Sequence, residues 1–222
     1  MPPRLDELTI ADSPAAWRAC GFEVEDDLCT IGAVRVRLVG EEGGRGVVGW
    51  SLAGVEPGAV LDGLPPTVAA GPPASAPGRH PNGISALDHA VVISPDFDRT
   101  VAALEAAGLD LRRIREEPTP AGAPRQAFFR LGEPILEVVQ APPAAIERSG
   151  GRDGPAFFWG LALIADDLDA TVAAIGAGVG EPRDAVQPGR RIATMGRAAG
   201  LALPIALMSP APSGGDRHGG DA

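Results

Sequence analysis

The chain has 222 residues, 45% of them hydrophobic, enough for one substantial domain or two small ones with a real core. A formal net charge of -10 disfavours nucleic acid and anionic membrane surfaces as partners, and no apolar run approaches the ~20 residues that a bilayer demands. All 19 basic residues are arginine and tyrosine is missing, which excludes Schiff-base lysine chemistry and a tyrosine general acid.

The opening residues, Met1-Pro2-Pro3-Arg4-Leu5-Asp6-Glu7, lack the apolar core of a secretory signal, so the expectation is a soluble cytoplasmic protein. Residues 5–60 form the first expected segment. Leu8-Thr9-Ile10 reads as a strand. Ser13-Pro14 offers an N-cap followed by proline, and a short helix runs from there through Trp17 and Cys20 to Gly21. Residues 29–39 read as one strand with Arg35 and Arg37 on a shared face, residues 47–55 as another, and residues 41–46 as the hairpin loop between them. Cys20 and Cys29 are too far apart for a CxxC site and are expected as buried, reduced thiols.

Residues 61–83 form a linker, because Pro65-Pro66, Gly71-Pro72-Pro73 and Pro77-Gly78 sustain neither helix nor central strand. His80 is expected there as an exposed loop histidine.

The segment 84–142 follows. Leu87-Asp88-His89-Ala90-Val91-Val92-Ile93 is an apolar strand carrying one histidine. A helix starts near Asp96 or Asp98, buries Val101, Leu104 and Ala107, and stops at Gly108. Residues 109–116 read as a strand with a charged face, and residues 126–131 and 134–140 as a hairpin around Gly132. The closing strand carries one glutamate, in Ile135-Leu136-Glu137-Val138-Val139. A lone imidazole and a lone carboxylate in apolar strands are costly to bury unless paired or bound to a metal.

The segment 155–210 repeats the order strand, helix, strand, strand, strand. Overlaying LDHAVVISPDFDRTVAAL on FWGLALIADDLDATVAAI matches the helix starts, which marks a duplicated unit. Here Asp166, Asp167 and Asp169 read as helix capping rather than a metal cluster. The tail 211–222 is polar and glycine-rich and is expected to be disordered, with His218 playing no functional part.

A strand-helix-three-strand unit in tandem, with histidine on its first strand and glutamate on its last, resembles the vicinal oxygen chelate superfamily. That group includes glyoxalase I, extradiol dioxygenases, methylmalonyl-CoA epimerase and the bleomycin and fosfomycin resistance proteins. The stretches LDHAVVISPDFDRTVAALEAAGLDLRR, RQAFFRLGEPILEVVQ and DAVQPGRRIAT look most like glyoxalase-like proteins of actinobacteria. The resemblance implies an α+β fold: tandem βαβββ modules forming a cup-shaped mixed sheet with helices outside. Residues 5–60 look like an abbreviated further copy.

The resemblance also implies a divalent metal (zinc, nickel, manganese or iron) in the cup, with His89 and Glu137 on ligand positions. The equivalents in the third segment are Gly160 and about Ile205, neither of which binds metal. Three readings stay open. A bidentate substrate or another acidic residue completes the shell; a partner in a homodimer supplies its own His89 and Glu137; or the metal is lost and His89 pairs with Glu137. In the metal-free case Glu137 becomes a general-base candidate.

Gln126 and Phe128 alternate on a strand near the expected cup and could position a substrate. Arg190 and Arg191 could meet an anionic substrate or form a solvated loop pair, and Arg191 is the candidate taken forward. Phe157 and Trp159 share a face that reads as core or pocket wall, which makes Trp159 a substrate-binding candidate. The leading function is a glyoxalase-like enzyme of the metal-assisted lyase, isomerase or dioxygenase kind acting on vicinal oxygens of a small molecule. The alternatives are a metal-free protein that sequesters a small molecule and a scaffold for assembly.

Overall fold

The computed structural model describes residues 1–69, 71–72, 74, 79–118, 122–148 and 151–212. Strand β1 (Arg4–Ile10) leads into α1 (Pro14–Ala19), where the Ser13 side chain accepts from the Ala15 amide and proline occupies the first turn, the arrangement the sequence implies. The single strand expected over residues 29–39 is instead a hairpin of β2 (Leu28–Ile31) and β3 (Val34–Leu38). The break lies at Gly32, where φ is +58°, a left-handed conformation open to glycine and strained for a residue with a side chain.

That hairpin corrects a second expectation. Residues 41–46 do not close a hairpin, because β3 and β4 (Val47–Ala53) are not neighbours. β1 lies between them, parallel to β3 and antiparallel to β4. Turning the chain at Gly32 lets β3 run alongside β1, which leaves the other edge of β1 for β4. With β5 (Thr67–Val68) at its edge, this is a five-stranded sheet in the order β2-β3-β1-β4-β5.

The rest of the chain builds one larger sheet. Strand β6 (Ile84–Ser94), helix α2 (Phe97–Ala106) and strands β7 (Asp110–Arg115), β8 (Gln126–Arg130) and β9 (Ile135–Gln140) come first. After the short helix α3 (Pro143–Arg148) follow β10 (Phe157–Ala165), α4 (Leu168–Ile175), β11 (Arg183–Asp184), β12 (Arg191–Met195) and β13 (Ile205–Met208). The eight strands run β11-β12-β13-β10-β6-β9-β8-β7. In each half the first strand is parallel to the last, and β6 and β10 join the halves antiparallel at the centre. Asp96 and Asp167 cap α2 and α4 in the same way, each carboxylate accepting an amide of the first turn.

α2 packs on β9 and α4 on β12, so both helices cover one face. That face buries Leu104, Phe129, Leu136, Val138, Leu161 and Leu163 almost completely. The opposite face is concave: residues of β8 and β9 on one wing and of β12 and β13 on the other line a single cavity. The cup is therefore closed by the two halves of one chain. None of the helices of the described residues is long and apolar enough to cross a membrane.

His80 departs from expectation. Only 5% of it is exposed; its Nδ1 accepts the Glu23 amide at 3.1 Å, and its ring meets Phe22 edge-on at 5.3 Å. The end of the linker is stitched to the first segment, Asn82 donating to the Cys20 carbonyl at 2.9 Å, and this carries His80 inside. Burial pushes its pKa below the ordinary histidine value, the same burial that drives the neighbouring Cys29 thiol up to about 12. Both cysteines are free and buried. The tail from residue 213 onward, with His218, lies outside the described residues.

Candidate functional site

β6 places His89 at the middle of the cup, and an irregularity in β6 adds a second group. Opposite β10, Leu87 pairs with Leu163 and His89 with Ala162, which leaves Asp88 without a partner residue. Such a bulge re-aims a side chain that regular alternation would send to the far face. Asp88 Oδ2 consequently lies 2.6 Å from His89 Nδ1.

The other ring nitrogen meets the last strand. Val91 of β6 is in register with Glu137 of β9, and His89 Nε2 lies 3.2 Å from Glu137 Oε2. Gln126, from β8, donates its amide to Glu137 Oε1. Both nitrogens of one imidazole thus face carboxylate oxygens. Glu137 is 9% exposed, and Gln126 Oε1 is buried with no hydrogen-bond partner.

Arg190 balances the far end of this chain of groups. It is 7% exposed; its Nη1 lies 3.0 Å from Asp88 Oδ1, its Nε donates to the Ser209 carbonyl at 2.9 Å, and Nη1 also donates to Gln187 Oε1 at 2.8 Å. Burial works to raise the Asp88 pKa, but His89 and Arg190 outweigh it and hold the carboxyl below its ordinary value. The sequence runs Arg190–Asp88–His89–Glu137–Gln126, and it begins in the third segment and ends in the second.

His89, Glu137 and Gln126 border an inner cavity of about 190 Å³ whose apolar walls include Phe128, Ile192, Ala206 and Met208. Arg113, Arg115, Val186 and Gln187 line both this cavity and an outer cleft of about 670 Å³. Small-molecule sites commonly occupy such depressions, mostly apolar with a few convergent polar groups.

The structure brings four of the sequence candidates together: His89, Glu137, Gln126 and Phe128. Two stand elsewhere. Arg191 points to the helix side, where it pairs with Asp169 at 2.6 Å. Its neighbour Arg190 turns inward, so the two are not the solvated pair that adjacency suggests. Trp159 and Phe157 are each 52% exposed rather than core. A second register break, at Trp159, explains this: Phe158 pairs with Val92 and Gly160 with Val91, and it is Phe158 that packs inward, 5.1 Å edge-on to Trp50. Asp88, Arg113 and Arg115 went unremarked in the sequence, Asp88 because a bulge leaves no mark in hydrophobic alternation.

The donor set does not fit a resident divalent ion. Aligning the two caps puts Gly160 at the place of His89, and the register of β10 with β13 puts Ala206, one residue beyond the expected Ile205, at that of Glu137. A Cβ at Gly160 would lie 2.6 Å from the Pro204 carbonyl oxygen, so that place has no room for a ligand side chain. Among the described residues no group of three or more His, Cys, Asp or Glu side chains is arranged to hold a metal.

No family model matches the chain, and no curated protein matches it. Among solved structures it is similar to methylmalonyl-CoA epimerase from Mycobacterium tuberculosis, at 18% identity over 63% of this chain and 94% of that one, with a TM-score of 0.48. A hypothetical protein from Bacillus halodurans gives 16% identity over 59% and 97%, with a TM-score of 0.46. A xylose isomerase-like TIM barrel/4-hydroxyphenylpyruvate dioxygenase fusion protein matches 95% of this chain at 12% identity, with a TM-score of 0.58, and this chain spans 50% of that one. Together with the cup of paired βαβββ halves, that last likeness shows an α+β fold of tandem βαβββ modules of the glyoxalase-like kind.

Proposed function

We propose that this protein is a small-molecule enzyme of the vicinal oxygen chelate type in which Glu137 moves a proton. One observation carries the reading: a carboxylate that is 9% exposed lines a cavity, accepts from the Gln126 amide on one oxygen and has His89 Nε2 3.2 Å from the other. Each carboxylate oxygen keeps a lone pair for a substrate hydrogen. Positioning of this kind is what general acid–base catalysis needs, since geometry comes before pKa.

The chemistry suited to it is proton transfer at carbon next to a carbonyl. Glu137 takes the proton, and the C–H electron pair moves to the carbonyl oxygen as an enolate; return of the proton to the same carbon gives exchange with solvent, and its delivery to the neighbouring carbon, with the hydroxyl proton passing to the enolate oxygen, completes an isomerisation. His89, held between Asp88 and Glu137, orients the Glu137 carboxylate. The metal-assisted form of this chemistry depends on a ligand set of which the cup supplies half, and no step here runs through a metal. A second reading, sequestration without turnover, is favoured by the apolar wall that Ile192, Ala206 and Met208 form where the other half would carry its ligands.

The test is a panel of 2-hydroxycarbonyl and 1,2-dicarbonyl compounds incubated in D2O, followed by NMR for loss of the C–H signal. The enzyme reading expects exchange with wild type and at least a 100-fold slower rate in Glu137→Gln, the loss typical of removing a general base. Binding of panel members with no exchange points to sequestration. Equal exchange in wild type and variant contradicts the role of Glu137.

A further inference from the structure

The inner cavity holds more positive than negative charge, against the trend of a chain with net charge -10. Its carboxylate is Glu137, already engaged by His89 and Gln126. Facing it from β7 are Arg113 and Arg115, two residues apart on one strand and so on one face. Ile114, Glu116 and Glu117 border the outer cleft without reaching the inner cavity.

Among the described residues neither arginine is engaged by a buried carboxylate. Arg115 pairs with Glu117 at 3.0 Å, but that glutamate is 80% exposed, and a pair so open to water is weak and easily exchanged. Arg113 has no carboxylate partner among the described residues; its guanidinium lies over the Phe128 ring, 5.1 Å from the centroid. A guanidinium stacked on an aromatic face keeps its donor edge free for an oxyanion, which it binds in bidentate fashion.

Strand register gives the site its length. Arg113 pairs with Phe128 across β7 and β8, and Phe128 pairs with Glu137 across β8 and β9. The three stand in a row across the sheet, so Arg113 and Glu137 are two strand spacings apart, about 10 Å between backbones. The Phe128 ring lies between them as an apolar floor. The inner volume of about 190 Å³ equals roughly six liquid water volumes, room for a small fragment with the remainder in the outer cleft.

We infer that the cup takes a small organic anion, its carboxylate or phosphate held by Arg113 with support from Arg115, its apolar middle on Phe128 and its reacting end at Glu137. This rests on the reading that the cup is the substrate site and adds the chemical class of what enters. The oxyanion role that sequence adjacency suggested for Arg191 passes to residues on the opposite wing and face of the sheet.

The experiment is titration of the full chain, at constant ionic strength, with benzoate, phenyl phosphate and the neutral isostere benzamide, read by NMR chemical shifts and calorimetry. The variants are Arg113→Gln, Arg115→Gln, Arg191→Gln as a control on the other face, and Glu137→Gln. The expected result is that at least one anion binds tenfold or more tightly than benzamide. Arg113→Gln should abolish that preference with Tm unchanged, Arg115→Gln should reduce it, and Arg191→Gln should leave it intact. Whether benzoate or phenyl phosphate binds better tells carboxylate from phosphate. Equal binding of anions and amide, no binding of either anion at millimolar concentration, or equal loss in the Arg191 variant overturns the inference. Retention of the preference in Glu137→Gln separates the two claims, because the anion site then stands whether or not Glu137 transfers a proton. Conversely, exchange of neutral carbonyl compounds by a protein that ignores anions would sink this inference alone.

Discussion

The half-sheet of residues 84–142 and that of residues 155–210 cap their helices with the same residue type, Asp96 in one and Asp167 in the other, and pair first and last strands in the same parallel sense. Yet His89 and Glu137 in the first correspond to Gly160 and Ala206 in the second. What both copies keep is what any copy needs to fold: caps, apolar helix-side residues and strand order. On the concave face the two copies differ. The second copy has not become idle there. It supplies the apolar wall of the cavity and, through the buried Arg190, the cation that faces Asp88. On the proposed reading the duplication is a division of labour, with the proposed reacting groups His89 and Glu137 on one half and charge balance and enclosure on the other.

The comparison breaks most visibly at Glu137. Glu137→Gln should slow turnover of any substrate found by about 100-fold or more, with the chain still folded by circular dichroism. Ala206→Gln, its counterpart, should leave the chemical step within a few-fold of wild type; a large loss of kcat there would contradict the one-sided assignment.

Next in size is the link between halves. Arg190→Met leaves the Asp88 charge without its arginine and should cost about 3 kcal/mol by denaturant unfolding, whereas Arg191→Met, one residue on and exposed, should leave the unfolding midpoint unmoved. The same pair sets a pH dependence. Asp88 is held below its ordinary value of 3.8, so its contribution to stability is complete above that value and is lost as pH falls through the lower folded value. Asp88→Asn should remove that part of the acid-induced loss in equilibrium unfolding followed between pH 5 and 2. An acid profile identical to wild type would contradict the Asp88 assignment.

Gly160→Ala tests why the second copy carries no ligand. Its Cβ would lie 2.6 Å from the Pro204 carbonyl oxygen, and relieving that contact should cost about 1–3 kcal/mol. A neutral effect on Tm would mean that the place is open after all.

The smallest effect concerns the other buried histidine. Burial lowers the His80 pKa from 6.5, so its contribution to stability is complete above 6.5 and declines as pH falls through the lower folded value. His80→Gln should flatten the slope of stability against pH just below 6.5 and leave cup chemistry untouched, in contrast to His89→Gln. An unchanged slope would show that His80 is not the titrating group.

The fold was legible because its signals are local and repeated: proline after Ser13, aspartates before two helices, glycines after them, and one apolar pattern written twice. His89 and Glu137 were legible because a polar residue in an apolar strand stands out. What sequence concealed were events between strands. Bulges at Asp88 and Trp159 reverse which side chain faces the cup, and alternation carries no trace of a skipped partner. Gly32 splits a run of residues that reads as one strand. The burial of His80 and Arg190 depends on partners dozens of residues away, so a loop position and one arginine of a charged pair read as outward when the folded chain turns them in.

The central claim, that the reacting groups sit on one half of the cup and work through Glu137, is tested most directly by C–H deuterium exchange measured after exhaustive chelation and dialysis. The account predicts that wild type still catalyses exchange of an active panel compound and that Glu137→Gln does not. Exchange that disappears on chelation and returns on adding zinc, nickel, manganese or iron would contradict it, because the missing ligands would then have to come from the substrate or from groups this account assigns to charge balance.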